Sequence, residues 1–200
     1  MIPHVASPAL LFVISGPAGS GKTTLCDALH SRVPSVQRVV TSTTRPARPG
    51  ERHAVDYYFF TEDEFEKKIR SGAFYEHARV HGRLYGTLRE EIDRRLVQNH
   101  DILLNIDVQG AAAFRQAAVE GPLKDRLVSL FVMPPHLEEL KKRLAGRSTD
   151  SEEEIARRLA TAEREVMEWT HYDYCLISGT PEEDAESLFQ IYCAEKMRVR

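Results

Sequence analysis

No stretch of this 200-residue sequence is long and apolar enough to cross a bilayer as a helix. The longest apolar run near the N-terminus, Ala9-Leu10-Leu11-Phe12-Val13-Ile14, falls far short of the ~20 residues that a span requires. No Lys or Arg precedes that run and a glycine-rich turn follows it, so a buried strand explains it better than a signal peptide. Cysteine is scarce. Cys26, Cys175 and Cys193 are odd in number, far apart and without a C-x-x-C, so neither a zinc ribbon nor a disulfide framework is suggested and a reducing compartment is the natural reading. The eight histidines are scattered with no H-E-x-x-H, which argues against a histidine metal site. An excess of one charge is also lacking: 27 basic residues face 30 acidic ones, a formal net charge of -3. That balance argues against a footprint for long nucleic acid while leaving room for a local anion pocket. The expectation is a soluble cytoplasmic protein with no membrane and no nucleic-acid polymer among its partners; oligomeric state is left open.

What is present alternates strand and helix. Residues 9–14 have the unbroken apolarity of a strand buried on both faces. Residues 22–31 fit a helix, with Leu25 and Leu29 four apart on one face. Further buried strands are expected at 102–106, 127–132 and 174–177. Strands separated by helical stretches imply an α/β fold, a parallel sheet with helices on both faces. Two inserts interrupt it. One, from about 40 to 90, is rich in Thr, Arg, Pro and Tyr, with short strand-like pieces such as 56–60. The other, from about 136 to 168, is charged and helical; Ser151-Glu152-Glu153-Glu154 has capping-box form ahead of a stripe of Ile155, Leu159, Ala162 and Val166. The core is then 1–39, 91–135 and 169–200, within a single domain.

Gly16-Pro17-Ala18-Gly19-Ser20-Gly21-Lys22-Thr23 fits G-x-x-x-x-G-K-[ST] at every position. It stands where phosphate chemistry needs it, directly after a buried strand and opening a helix. Glycines let backbone N–H groups converge on phosphate oxygens, and the helix N-terminus adds positive potential. In this loop Gly16, Gly19, Ser20, Gly21, Lys22, Thr23 and Thr24 are the candidate ATP contacts. Lys22 would neutralise β/γ-phosphate charge and Thr23 would ligate Mg²⁺. A switch GTPase is the first competitor, because Asp107-Val108-Gln109-Gly110 has D-x-x-G form. No N-K-x-D occurs in the chain, so that class is discounted.

The run Thr41-Ser42-Thr43-Thr44-Arg45-Pro46-Ala47-Arg48-Pro49-Gly50-Glu51 resembles the guanylate kinase family, whose GMP-binding insert carries S-x-T-T-R-x-x-R-x-G-E. The resemblance continues through Asp56-Tyr57, Glu76-His77-Ala78, Tyr85-Gly86-Thr87 and Asn105 to Gly110. It extends through Pro134-Pro135, Leu140 to Leu144, Gly146-Arg147 and Arg158-Leu159. It implies ATP:GMP phosphotransfer with Mg²⁺, with GMP and dGMP as acceptors, residues 40–90 as the GMP-binding insert and 136–168 as a lid. The chemistry of the residues agrees. Arg45 and Arg48 present guanidinium forks suited to a phosphate, and Tyr57 and Tyr85 could add hydroxyl donors. Guanine needs an acceptor for its N1–H and amino group, which Glu76 could supply. By resemblance, Thr41, Thr87 and Asp107 help address the base, and Glu51 orients the acceptor site. Adenine presents the opposite pattern, and such sites discriminate by roughly 10⁴-fold or more.

The family's lid arginines match Arg143, Arg147 and Arg158, with Arg157 read as a surface residue. Lys22, Arg45, Arg147 and Arg158 are the candidate catalytic cations, because a GMP phosphate is already an anionic nucleophile and needs no strong general base. Two positions depart from the family pattern. The family usually has Asp-x-Asp where this chain has Asn105-Ile106-Asp107; side chains two apart in a strand share a face. Asn105 or Asp107 would then stand in the outer shell of the metal, with Asn105 keeping an oxygen but losing charge. Ser178-Gly179 replaces a frequent Asn-Asp, so no adenine contact is assigned there. A sugar-phosphate kinase and a scaffold domain of the same fold are the competing readings; the intact Gly21-Lys22-Thr23 and Glu76 weigh against both.

Overall fold

The computed structural model describes residues 7–80, 82–145 and 152–200. Strand β1 (Leu11–Ser15) is buried along its whole length. Its side chains alternate between two cores. Leu10, Phe12 and Ile14 join one with Leu25, Leu29 and Leu188, and Ala9, Leu11 and Val13 join the other with Ile92, Leu104 and Phe114. That is the physical basis of the unbroken apolar run: a strand covered on both faces has no polar side.

After β1 come α1 (Lys22–Arg32), the short strands β2 (Gln37–Arg38), β3 (Ser42–Thr43) and β4 (Tyr58–Phe59), then α2 (Glu62–Arg70). A hairpin of β5 (Phe74–Val80) and β6 (Arg83–Leu88) leads into α3 (Arg89–Val97), β7 (Ile102–Asn105) and α4 (Val108–Ala117). The chain finishes with β8 (Leu127–Met133), α5 (Leu137–Ala145), α6 (Glu152–Val166), a 3₁₀ turn (Met167–His171), β9 (Tyr174–Ile177) and α7 (Pro181–Met197). Five strands form a sheet in the order β2-β7-β1-β8-β9, every pair parallel. The expected α/β class and parallel sheet are therefore observed. The register pairs Ile14 with both Asn105 and Leu130, which brings the C-terminal ends of β1 and β7 level. The chain leaves β1 towards β2 and β7 on one side and β8 on the other, so a crevice opens at those ends.

A second, smaller sheet runs β4-β3-β6-β5. It has its own core of Phe65, Phe74, Leu84 and Leu88, with Phe65 and Phe74 stacked at 4.4 Å between ring centroids. Leu140, Leu159 and Ala162 pack α5 on α6, as the stripe expected on that helix requires. Ser151, the expected cap of α6, lies outside the described residues, as does the Ile155 side chain. At the opposite end of the large sheet, buried Asp101 ties three elements together. It accepts from the Leu10 N–H at 2.9 Å, from Tyr192 at 2.8 Å and from Lys196 at 2.9 Å.

Candidate active site

The chain turns out of β1 at Gly16 with φ of 139°. A Cβ there would meet the Val132 carbonyl oxygen at 2.5 Å, so both conformation and space demand glycine. Gly19 and Gly21 follow with φ of 86° and 100°, Gly21 serving as the N-cap of α1. The resulting loop wraps the helix N-terminus, where orphan N–H groups and the helix dipole attract an anion. Ser20 is buried within it. The Lys22 amine donates to the carbonyls of Gly16 at 2.7 Å and Pro17 at 2.9 Å. The Asn105 amide donates to the Thr23 hydroxyl at 3.1 Å. Thr24 and Gly21 border a cavity of about 140 Å³ with Leu25, Ser178, Gly179, Pro181 and Asp184. Asp184 holds that end of it by accepting from the Ser178 hydroxyl and the Gly179 N–H, each at 2.8 Å. No sequence motif marks Asp184; the fold brings it to the cavity that Gly21 and Thr24 also border.

A second cavity of about 210 Å³ lies between the two sheets, lined by Thr41, Tyr57, Glu76, Tyr85, Gly86, Asn105 and Asp107 among others. Five of the site residues expected from sequence, together with Asn105, thus converge on one space from β5, β6, β7 and the loops around β3 and β4. Glu76 owes its place to an irregularity. Phe74 pairs with Leu88, but Glu76 pairs with Thr87, one residue out of step. Without that bulge Glu76 would face Gly86; with it, the Thr87 hydroxyl donates to the Glu76 carboxylate at 2.6 Å. Gly110 supplies the room, since a Cβ there would stand 3.3 Å from Glu76 Oε2. Burial pushes the Glu76 carboxyl up to about 7, with the Thr87 bond opposing and Asp107 adding to the rise. Asp107 also caps α4, accepting from the Gly110 N–H at 2.8 Å. The D-x-x-G match therefore has a structural basis in a helix cap and a close approach.

Glu51 organises the arginine loop. Its carboxylate accepts from the Arg45 guanidinium at 2.8 Å and from the Arg48 N–H at 2.7 Å. The Arg45 bond, then the Arg48 N–H, hold the Glu51 carboxyl below its ordinary value. The Arg45 guanidinium lies 5.5 Å from the Tyr57 ring centroid, and Tyr57 meets Tyr85 edge to face at 6.5 Å. Arg48 is exposed. Arg158 lies part-buried on α6 and Arg157 exposed beside it. Arg147 lies outside the described residues, as does the Arg143 side chain. One charged residue that no motif marked enters here: Glu165 of α6 is half-buried, its carboxyl pushed up to about 7 by burial, with Lys22 opposing and Asp107 adding.

Among the described residues, no group of three or more His, Cys, Asp or Glu is arranged to hold a metal. This donor set suits Mg²⁺ arriving with a triphosphate, which takes few protein ligands besides phosphate and water oxygens. Thr23 Oγ1 and the Asn105 side chain are already within hydrogen-bond distance of each other at the mouth of the loop.

A phosphate loop at the end of a central parallel strand, with an acceptor cavity beside it, defines a P-loop kinase class of site. Similarity to known proteins narrows the class. The guanylate kinase family profile matches residues 9–194. The guanylate kinase of Syntrophotalea carbinolica is 42% identical over 94% of this chain and 87% of its own length. That of Cereibacter sphaeroides is 41% identical over 97% and 90%. The crystal structure of guanylate kinase from Anaplasma phagocytophilum superposes with a TM-score of 0.75 at 31% identity, covering 96% of this chain and 89% of that one. The chain belongs to the guanylate kinase family.

Proposed function

We propose that this protein transfers the γ-phosphoryl group of Mg-ATP to GMP, giving ADP and GDP, and accepts dGMP as well. The observation that carries the reading is the half-buried Glu76 carboxylate in a cavity of nucleobase scale, aligned by Thr87 beside a glycine-shaped phosphate loop. Glu76 accepts the guanine N1–H and amino hydrogens, with Thr41, Thr87 and Asp107 at the remaining edge. Arg45 and Arg48, held by Glu51, grip the GMP phosphate with Tyr57 and Tyr85. The loop N–H groups and Lys22 hold the ATP phosphates. The cavity bordered by Thr24, Ser178 and Asp184 lies beside that loop and takes the adenine.

Thr23 would hold Mg²⁺ directly, with Asn105 or Asp107 in its outer shell; when bound, the ion neutralises charge on the phosphate oxygens. The GMP phosphate oxygen then attacks in line, and positioning with electrostatic stabilisation supplies the rate. Residues 40–90 act as the GMP-binding insert and 136–168 as a lid that closes with Arg143, Arg147 and Arg158, excluding water. Cytoplasmic residence is supported by three cysteines that are all free. The test is an ADP-release assay with Mg-ATP against GMP, dGMP, AMP, UMP and CMP. Turnover with GMP and dGMP alone is expected; turnover with none, or equal turnover with AMP, refutes the assignment.

A further inference from the structure

The turn between β9 and α7 walls one side of the cavity beside the phosphate loop, and its polar groups are committed to one another. The Ser178 hydroxyl and the Gly179 N–H both donate to the Asp184 carboxylate, each at 2.8 Å. Ser178 is buried, and Gly179 packs so near the helix that a Cβ there would stand 2.8 Å from Glu183 Oε2. Capping of α7 does not account for Asp184. Thr180 caps that helix, accepting from the Glu183 N–H at 3.3 Å while the Glu183 carboxylate accepts from the Thr180 N–H at 3.0 Å. Asp184 stands one residue further on and lines the cavity together with Leu25 and Pro181. A carboxylate accepts at about four lone-pair positions, and Ser178 and Gly179 fill two of them. With those protons turned to Asp184, the wall that the Ser178 and Asp184 side chains present is made of acceptors.

We propose that Asp184 reads the base of the phosphoryl-donor nucleotide by accepting from an exocyclic amino group. It thereby supplies an adenine contact where Ser178-Gly179 stands in place of the family's frequent Asn-Asp. The inference rests on the reading that places the ATP phosphates on the phosphate loop and the adenine in this cavity. Gly21 and Thr24, at the start of α1, border the same space of about 140 Å³, so a base held there has its phosphates beside the loop. Leu25 and Pro181 offer the ring apolar surface, while Ser178 and Asp184 offer its edge acceptors. Adenine turns an amino group, with two N–H donors, to such a wall. Hypoxanthine carries a carbonyl oxygen at the same position, where acceptor faces acceptor and the bond is lost. A site that leaves its own polar group unpaired against the wrong ligand discriminates against it. The donor site therefore selects ATP over ITP through Asp184.

The experiment compares ATP with ITP in the wild type, Asp184→Asn and Asp184→Ala, each checked for its fold by circular dichroism. Calorimetric titration gives the Kd of each triphosphate, and steady-state kinetics at saturating GMP give its KM. The wild type is expected to favour ATP by about tenfold or more, the scale of one hydrogen bond to a charged group. Asp184→Asn keeps the shape but turns an N–H or the Ser178 O–H to the cavity. Its preference for ATP should fall about tenfold, with ITP bound more tightly than by the wild type. Asp184→Ala should lose the preference through weaker ATP binding alone. A residue that only braces the turn would weaken both triphosphates equally. A wild type that binds ATP and ITP alike overturns the proposal without recourse to a variant, as do folded variants whose ratio is unchanged; in both cases the phosphate-loop reading stands. A wild type that binds neither triphosphate removes that reading and the inference with it.

Discussion

Replacing Glu76 with Gln removes one charge from the acceptor cavity while keeping the side chain's shape. In the folded protein the Glu76 carboxyl is pushed from 4.5 to about 7, chiefly by burial. Its neutral form therefore contributes stability that is fully present below about pH 4.5 and lost as the pH rises through about 7. The displacement corresponds to about 3 kcal/mol. Glu76→Gln should then melt at a higher temperature than the wild type at pH 8, with the difference fading towards pH 4.5. Binding runs the other way. Guanine offers donors, so the ionised carboxylate is the competent form, and GMP affinity should fall about tenfold from its plateau by pH 6. Gln presents an N–H where an acceptor is needed. Losing a charged hydrogen bond costs about 1.5–3 kcal/mol, or about 10- to 150-fold in kcat/KM for GMP. Steady-state kinetics from pH 6 to 8.5 would follow both proteins, and their ratio cancels the titration of the GMP phosphate itself. A ratio that is flat with pH, or a variant that loses ATP and GMP equally, refutes the base-reading role of Glu76.

Three further outcomes are expected. Lys22→Ala should abolish measurable turnover while leaving the far-ultraviolet spectrum unchanged; near-full turnover would refute the phosphate-loop assignment. Asn105→Asp replaces the amide donor to Thr23 with an acceptor for its hydroxyl, so less Mg²⁺ should be needed for half-maximal rate, at the cost of a lower melting temperature from repulsion with Asp107. Asp101→Ala strands Lys196 and the Tyr192 hydroxyl at the far end of the sheet, so unfolding by urea should show a loss of about 3–5 kcal/mol. Its KM values should stay near those of the wild type.

Much of this protein was legible in the chain because its signals are local. The phosphate loop is eight consecutive residues, and its glycines, lysine and threonine act within one strand-turn-helix. The buried strand before it, helix 22–32 and strands β7 to β9 follow from unbroken apolarity and period, and the arginine pair with Glu51 sits within seven residues. The edge strand β2 escaped because two residues carry no period. The helices α3, α4 and α7 carry weaker stripes than α6, part of their cover being supplied by buried polar groups such as Glu91 and Glu195.

What only the tertiary structure decided is which distant groups share a space. The sequence named Glu76 and Thr87, but the bulge at β5 set them opposite each other, and Gly110 on another element made room for the carboxylate. Asp184 comes to border one cavity with Gly21 and Thr24 through packing between elements far apart in the chain. Burial, and with it the rise of the Glu76 and Glu165 carboxyls to about 7, is a property of a residue's neighbours rather than of the residue. Residue type and spacing fix which chemistry a short segment can perform; the charge state and partners of each group depend on what the fold stacks against it.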